Sequence, residues 1–181
     1  ASAKSQVKLT AARTKVSGLA ASYAYTGKPI RPAVKVRVKR AGAYRTLKRG
    51  RDYTLSYAGN VDAGRATVSI RGKGSFAGRV AKHFKIRYDL ARRGKVVIPY
   101  SVYTYKSGSA IEPAASVLYG RTKLVAGKDY RLSYSNNTQV GTATVRAVGK
   151  GRCMGSAQAS FEISEEAART MKAALSAKSY R

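Results

Sequence analysis

The sequence of this 181-residue chain contains an internal repeat. The segment Gly50-Arg-Asp-Tyr-Thr-Leu-Ser-Tyr57 returns 77 residues later as Gly127-Lys-Asp-Tyr-Arg-Leu-Ser-Tyr134. The same spacing then relates Gly64-Arg-Ala-Thr-Val68 to Gly141-Thr-Ala-Thr-Val145, Gly72-Lys-Gly74 to Gly149-Lys-Gly151, and Phe84-Lys-Ile86 to Phe161-Glu-Ile163. Because self-similarity at a fixed period indicates repeated structural units, the sequence predicts two copies of one domain.

Upstream of this register the spacing between the copies is wider. Gly27-Lys-Pro-Ile-Arg-Pro-Ala33 matches Gly108-Ser-Ala-Ile-Glu-Pro-Ala114 at a distance of 81 residues, so the first copy holds four extra residues, which we place near Ala41 to Leu47. The predicted organisation is an N-terminal extension at 1–11, one repeat at 12–88, a second at 89–164, and a C-terminal helix or linker at 165–181.

Each copy alternates in the way that half-buried strands do. Tyrosine and leucine alternate with polar residues over 53–57 and again over 130–134, and valine alternates with lysine or arginine over 34–39. The apolar positions are predicted to face a core and the basic ones water. Gly59 corresponds to Asn136, and both residue types tolerate a positive φ, which predicts a shared tight turn. Short strands separated by turn signals indicate an all-β sandwich.

The pattern changes after the second repeat. Ser164 followed by Glu165 and Glu166 is typical of a helix N-cap and first turn. Apolar residues then recur at helical spacing, at Ala168, Met171 and Leu175. We therefore expect a short C-terminal α-helix of about three turns.

The repeat motif resembles a known family. Its parts are an aromatic-Thr-Gly-Lys-Pro-Ile opening, the Gly-x-Asp-Tyr strand, the Gly-x-Ala-Thr-Val strand, Gly-Lys-Gly and a closing Phe-x-Ile, spread over residues 12–88 and 93–164. This set resembles the immunoglobulin-like repeats of large extracellular proteins of Gram-positive bacteria, which occur in tandem as spacers or adhesive modules. The resemblance implies two tandem immunoglobulin-like β-sandwich domains in a cell-surface context, and it implies no catalytic residues and no particular ligand.

Cys153 departs from the motif, because the first copy has Phe76 at the equivalent position. A free cysteine packs like a small hydrophobe, so we predict a buried apolar residue; a reactive or intermolecular thiol is the alternative. As the single cysteine it excludes an intrachain disulfide, and with His83 it supplies too few ligands for a Cys/His metal site.

The charge is extreme, with 36 Lys and Arg against 8 Asp and Glu and a formal net charge of +28. Residues 10–88 hold 19 basic and 2 acidic residues, whereas residues 89–165 hold 11 and 5. A field of this size attracts nucleic acid, phosphate-bearing wall polymers, acidic polysaccharides or an anionic membrane face. The asymmetry points to the first repeat as the site of contact.

A candidate anion-binding surface follows from the strand pattern. Lys35, Arg37 and Lys39 are expected to project from one face of a strand about 7 Å apart. The inserted loop is expected to extend the surface through Arg40, Arg45, Lys48, Arg49 and Arg51. The alternative is that a charged ladder only keeps an exposed sheet from aggregating.

The sequence offers little catalytic material. One histidine and eight carboxylates are available, and Asp52 and Asp129 occupy equivalent positions where we predict turn capping. His83 is expected on a solvated strand face, and Gly72-Lys-Gly-Ser75 lacks the spacing of a Walker loop. We predict no enzyme activity, no catalytic or metal site and no cofactor. No apolar run approaches the roughly 20 residues of a membrane helix.

The sequence-based hypothesis is therefore a secreted or cell-wall-associated spacer or adhesin without catalytic activity. Its expected partner is an anionic polymer such as cell-wall polymer or acidic polysaccharide, bound through charge. Two alternatives stay open: a basic nucleic-acid-binding protein, and accessory domains of a wall hydrolase or protease that lies outside this chain.

Overall fold

The computed structural model of the chain describes residues 6–165. These fall into two compact units that divide between Arg87 and Tyr88. The C-terminal helix expected at 165–181 lies outside the described residues. No helix among the described residues combines the length and the apolar character that crossing a membrane requires.

The first unit is built from strands arranged in two principal sheets. The first is the antiparallel β2-β4-β5 sheet, and the second is the antiparallel β6-β7-β9 sheet, to which β3 adds in parallel against β9. The strands are β1 (Val7–Lys8), β2 (Thr14–Ser17), β3 (Ser22–Ala24), β4 (Lys35–Arg40), β5 (Ala43–Thr46), β6 (Tyr53–Ala58), β7 (Gly64–Gly72), β8 (Phe76–Ala77) and β9 (Arg79–Asp89).

The core of the first unit lies between these two sheets. Val36 and Val38 of β4 are buried and cluster with Ile70 of β7 and Val80 of β9. Strand alternation produces this arrangement, because each second residue of a strand points to the same side. The alternation that the sequence showed over 34–39 is therefore confirmed, and it leaves the intervening cations exposed.

The second unit repeats this architecture. Its sheets are β10-β12-β13 and β14-β15-β17, with β11 parallel to β17. The elements are α1 (Leu90–Arg93), β10 (Gly94–Val97), β11 (Val102–Thr104), β12 (Ser116–Tyr119), β13 (Thr122–Lys123), β14 (Tyr130–Ser135), β15 (Gly141–Gly149), β16 (Cys153–Met154) and β17 (Ser156–Ser164). Both units are all-β with facing sheets, which confirms the predicted fold class of tandem β-sandwiches in the described part of the chain.

A short helix, α1, lies near the start of the second unit. It was not predicted from the sequence. The Asp89 side chain caps it by accepting a hydrogen bond from the Ala91 amide at 3.1 Å. Leu90 is buried in the unit, and Gly94 ends the helix. A Cβ at position 94 would lie 2.6 Å from the Leu90 carbonyl oxygen, so the close approach requires glycine.

Each unit also begins with a short strand that pairs in parallel with the segment after Gly-Lys-Gly. In the first unit β1 pairs with β8, Val7 opposite Phe76. In the second unit the last residues of β9 take this role, with Tyr88 opposite Cys153 in β16. The spacing of 77 therefore relates Phe76 to Cys153 in space as well as in sequence, and Cys153 is fully buried, as predicted.

The four extra residues of the first copy form the longer β4–β5 hairpin. Arg40 pairs with Ala43, which leaves Ala41 and Gly42 as a two-residue loop. Their φ angles are 47° and 81°, the geometry of a hairpin turn that matches the twist of the flanking strands. The predicted location of the insertion is confirmed.

Tyrosines at equivalent places tie each strand β6 or β14 to the loop before β4 or β12. The Tyr57 hydroxyl donates to the Pro32 carbonyl oxygen at 2.7 Å, and Tyr134 donates to Pro113 at 2.6 Å. Both tyrosines are half-buried, and each hydroxyl is engaged by a backbone acceptor, so neither is presented freely at the surface.

The turn after each of these strands is also shared. Gly59 has φ 63° and Asn136 has φ 53°, so the predicted positive-φ turn is confirmed. The next residue holds the same loop in both units: the Asn60 side-chain amide donates to the Ile30 carbonyl, and Asn137 donates to that of Ile111.

Candidate anion-binding surface

The basic ladder predicted on β4 is present on the outer face of the β2-β4-β5 sheet. Lys35, Arg37 and Lys39 are all exposed, and they alternate with buried valines. Successive cations on one face of a strand lie about 7 Å apart. The structure thus brings these three predicted residues together on one face.

Neighbouring strands add residues that the sequence analysis did not assign to this surface. Lys15 of β2 is the cross-strand partner of Arg37, and Tyr44 of β5 is the partner of Lys39. The Lys15 ammonium lies 4.4 Å from the centre of the Tyr44 ring, and the Arg37 guanidinium lies 5.9 Å from it. Cations within about 6 Å of an aromatic face are attracted to it, so Tyr44 holds these two side chains in place.

The remaining predicted residues do not share that face. Arg45 lies directly opposite the buried Val38 in the β4–β5 pairing, and Arg40 is two residues after Val38 on β4. Both therefore lie on the opposite side of the hairpin from Lys35, Arg37 and Lys39. The other three lie in the segment between β5 and β6: Lys48, Arg49 and Arg51. All are exposed, but they form separate basic regions rather than one continuous ladder.

Arg51 differs from the other seven because a carboxylate holds it. Its Nε lies 2.8 Å from Asp52 Oδ1, and its Nη2 lies 3.0 Å from Oδ2. This hydrogen bond, together with the charge of Asp52, raises the pKa of Arg51 and in turn lowers the pKa of Asp52. Arg51 is therefore the least available of the eight cations for an external anion.

An open groove of about 590 Å³ lies beside the β4–β5 turn. Four cations line it, contributed by β1, the segment before β2, and β4: Lys8, Arg13, Lys39 and Arg40. The Arg13 backbone is held beside β4, because its carbonyl oxygen accepts the Lys39 amide at 2.8 Å. No carboxylate in the described part of the chain lines the groove. The positive potential of the ladder therefore continues to the tip of the β4–β5 hairpin.

The second unit lacks the ladder at equivalent positions. The spacing of 81 places Ser116, Leu118 and Gly120 where the first unit has Lys35, Arg37 and Lys39. The inward positions are kept, since Val117 and Tyr119 are buried like Val36 and Val38. The core pattern of β4 is thus repeated in β12, while the outward charge of β4 is not.

The predicted capping role of Asp52 and Asp129 is confirmed. Asp52 Oδ2 accepts the Lys48 amide, and Asp129 Oδ2 accepts the Val125 amide, both at 2.8 Å. In the second unit the cation comes from a different place: Arg152 donates from Nε and Nη2 to the two oxygens of Asp129 at 2.9 and 3.0 Å. These hydrogen bonds lower the pKa of Asp129 against the opposing effect of burial. Both carboxylates are structural.

The other titratable residues are dispersed. His83 is exposed, as predicted, and its Nδ1 lies 3.0 Å from Thr67 Oγ1. Asp62 and Glu112 are exposed. Within residues 6–165, no group of three or more His, Cys, Asp or Glu side chains could hold a metal ion.

Comparison with known proteins gives one structural similarity and no relatives in sequence. No protein-family model matches the chain, and no curated protein matches it. Among solved structures, the chain is similar to a protocadherin gammaB7 EC3-6 cis-dimer structure, with 14% identity and a TM-score of 0.25. The match covers 79% of this chain and 45% of that one, so the chain spans less than half of the cadherin chain's length. At this TM-score we base no argument on the similarity.

Proposed function

We propose that this protein is a non-catalytic extracellular module of a bacterial surface protein, a spacer or adhesin that binds anionic polymers through the first unit. The observation that carries the proposal is the ladder of Lys35, Arg37 and Lys39, presented with Lys15 and without a carboxylate on the same strand. The expected polymers are cell-wall polymers or acidic polysaccharides.

The placement of like charges supports a binding role for the ladder. Lys15 and Arg37 are direct cross-strand partners, an arrangement that destabilises a sheet when no anion is near. A face that only needs solubility mixes both signs of charge. The first unit thus carries a stability cost that a bound polyanion offsets.

The proposal is tested by binding of labelled poly(glycerol phosphate) and of a heparin-derived oligosaccharide at increasing salt. We expect affinity to fall steeply with salt, because association releases counterions from the polymer. Changing Lys35, Arg37 and Lys39 together to Gln should weaken binding strongly.

The matched control changes three exposed lysines of the second unit, Lys95, Lys123 and Lys128, to Gln. It removes the same net charge from the chain and should weaken binding much less. Equal losses for the two triple variants, or binding that is insensitive to about 0.5 M salt, would contradict the proposal.

Nucleic acid is the competing partner for such a surface, and Tyr44 is the one aromatic residue on the ladder face that is placed to stack on a base. A labelled single-stranded oligonucleotide of matched charge should bind no more tightly than the two polymers above. A clear preference for the oligonucleotide would favour the nucleic-acid function instead.

A further inference from the structure

The first unit carries a second basic face, on the outer side of its β6-β7-β9 sheet. Cross-strand pairing sets Arg71 directly opposite Arg79 near one end of β7, and Arg65 directly opposite Lys85 near the other end. All four side chains are exposed. No carboxylate occupies an outward position of β6, of β7, or of β9 as far as Arg87. Within each of these two pairs, two positive charges therefore face each other, and no carboxylate on the same face of these strands neutralises them.

Small polar residues separate the two cation pairs. Ser56, Ser69 and Ala81 form one cross-strand row, and Ala58, Thr67 and His83 form the next. Ser56 and His83 are exposed in these rows, and Ser69 is buried. The strip therefore has a floor of small polar or apolar residues and one imidazole between a cation pair at each end.

One end of this strip is a defined depression of about 500 Å³. It is lined by Ser56, Ser69, Arg71, Gly78 and Arg79. The Arg79 guanidinium donates from Nη2 to Ser69 Oγ at 2.7 Å, which fixes its direction along the floor. A guanidinium held in this way loses less freedom when it binds an anionic group.

The distance between the cation pairs sets the size of a ligand. Arg65 and Arg71 are six residues apart on one strand, which is about 20 Å at a rise of about 3.3 Å per residue. A single phosphate or sulfate reaches one pair only. A chain that reaches both must be extended, carry anionic groups along its length, and offer hydroxyl groups to the floor.

The second unit is a natural reference for this face, because its fold is the same and its charges differ. The spacing of 77 places Thr142 and Glu162 at the positions of Arg65 and Lys85, and Val148 and Ser156 at those of Arg71 and Arg79. Thr142 donates to Glu162 at 3.1 Å, a neutral-to-acid pair in place of two cations. The fold thus does not require cations at these positions.

From these observations we propose that the outer face of the β6-β7-β9 sheet, between Arg71/Arg79 and Arg65/Lys85, is a binding track for a linear, hydroxyl-rich polyanion. The track deepens the proposed function and rests on it, since it names a second site and a minimum ligand length. Phosphate-bearing polyol polymers and acidic polysaccharides share the required chemistry.

The test measures fluorescence anisotropy of labelled heparin-derived oligosaccharides and of poly(glycerol phosphate), each in a short form and in a form longer than about 20 Å. Two double variants of the full chain are compared with the wild type, R71Q/R79Q and R65Q/K85Q. The control is R131Q/R146Q on the equivalent face of the second unit, where Arg146 donates to Ser156 as Arg79 does to Ser69.

For the long ligands, we expect either track variant to lower affinity roughly tenfold at about 0.15 M salt and to reduce the salt slope by about 1.4, or about 0.7 per cation. The control should change affinity less than about twofold. For the wild type, lengthening the ligand should raise affinity by more than the added charge explains, since the second pair is reached within one complex. Either track variant should remove that gain.

Several results would overturn the track. Equal losses for the control and track variants would show a nonspecific charge effect, and an unchanged length gain in both track variants would show that the pairs do not act together. R71Q/R79Q removes the hydrogen bond from Arg79 to Ser69 and could disturb folding for that reason. R65Q/K85Q leaves this bond in place, so it tests the track independently. If the Lys35, Arg37 and Lys39 variant weakens binding and the track variants do not, the track fails while the proposed function stands; if no variant weakens binding, both fail. The two polymers distinguish phosphate from sulfated saccharide as the preferred source.

Discussion

Replacing Asp129 by Ala should destabilise the second unit strongly. The side chain of Asp129 is fully buried, accepts the Val125 amide, and receives two hydrogen bonds from Arg152. Its removal leaves a backbone donor without its acceptor and a guanidinium without its carboxylate. Removing one partner of a buried ion pair costs about 3–5 kcal/mol. Because the Arg152 side chain is 37% exposed and regains water on one side, we expect a loss near 3 kcal/mol.

The equivalent change in the first unit is the matched comparison. Arg51, the partner of Asp52, is 69% exposed and adjacent in the chain. Exposed ion pairs contribute little, so Asp52→Ala should cost clearly less than Asp129→Ala. Urea unfolding followed at the amides of Val68 and Val145 reports each unit separately, since both residues are buried on central strands. Equal losses in the two units, or a loss below about 1 kcal/mol for Asp129→Ala, would refute this reasoning.

The same residue predicts how stability depends on pH. The hydrogen bonds from Arg152 lower the pKa of Asp129 in the folded state, so the unfolded chain takes up the proton first as pH falls. This stabilisation is complete above the unfolded pKa of about 3.9 and is lost as pH falls through the lower folded pKa. The urea midpoint at Val145 should therefore be steady from pH 7 to about 5 and should decline below about 4. Asp129→Asn should reduce the acid-dependent part of the decline.

Three further changes test the fold. Ala41→Asn should stabilise the first unit by about 0.5–1 kcal/mol, because Asn tolerates the φ of 47° better than Ala does; an unchanged melting temperature would contradict this. Gly72→Ala should destabilise it by about 1–3 kcal/mol, since the added Cβ would lie 2.8 Å from the Ala77 amide nitrogen, and thermal unfolding by circular dichroism measures the loss. A fragment of residues 94–165 should be markedly less stable than one of 88–165, because it lacks the strand that pairs with β16 and the buried Leu90 of α1; equal urea midpoints would show that this segment is dispensable.

The fold was predictable from the sequence at positions where burial or backbone conformation alone determines the residue type. Val36 and Val38 alternate with cations because one side of β4 is buried, and Gly59 matches Asn136 because both take a positive φ. These are local rules, so they are readable without knowing which strands meet. The insertion of four residues was located by a different signal, the change in spacing between the copies from 81 to 77 residues.

What the sequence did not predict depended on register between strands. The eight candidate cations lie close together in the chain, yet Arg40 and Arg45 are placed on a different face from Lys39, and Arg51 is held by Asp52. Their alternation was readable, but the hairpin register that opposes Arg45 to Val38 was not. The charge on the β6-β7-β9 face was overlooked because Arg71 and Arg79 belong to strands that meet only in the folded chain.

The partner of Asp129 shows a further limit of comparing repeats. The aspartate is equivalent to Asp52, but its arginine comes from position 152, whose counterpart in the first unit is Ser75. The requirement for a cation is conserved between the copies while its position is not. Aligning the two copies therefore identifies the buried carboxylate and misses its partner.

The most direct test of the central claim is an amide chemical-shift titration of the full chain with poly(glycerol phosphate) at about 0.15 M salt. The claim is that two units of one fold differ in function because only the first carries the Lys35, Arg37 and Lys39 ladder and the facing cation pairs Arg71/Arg79 and Arg65/Lys85. It predicts shift changes at Arg37 and Thr67 with little change at the equivalent Leu118 and Thr144. Changes of equal size in both units, or changes confined to the second, would contradict it.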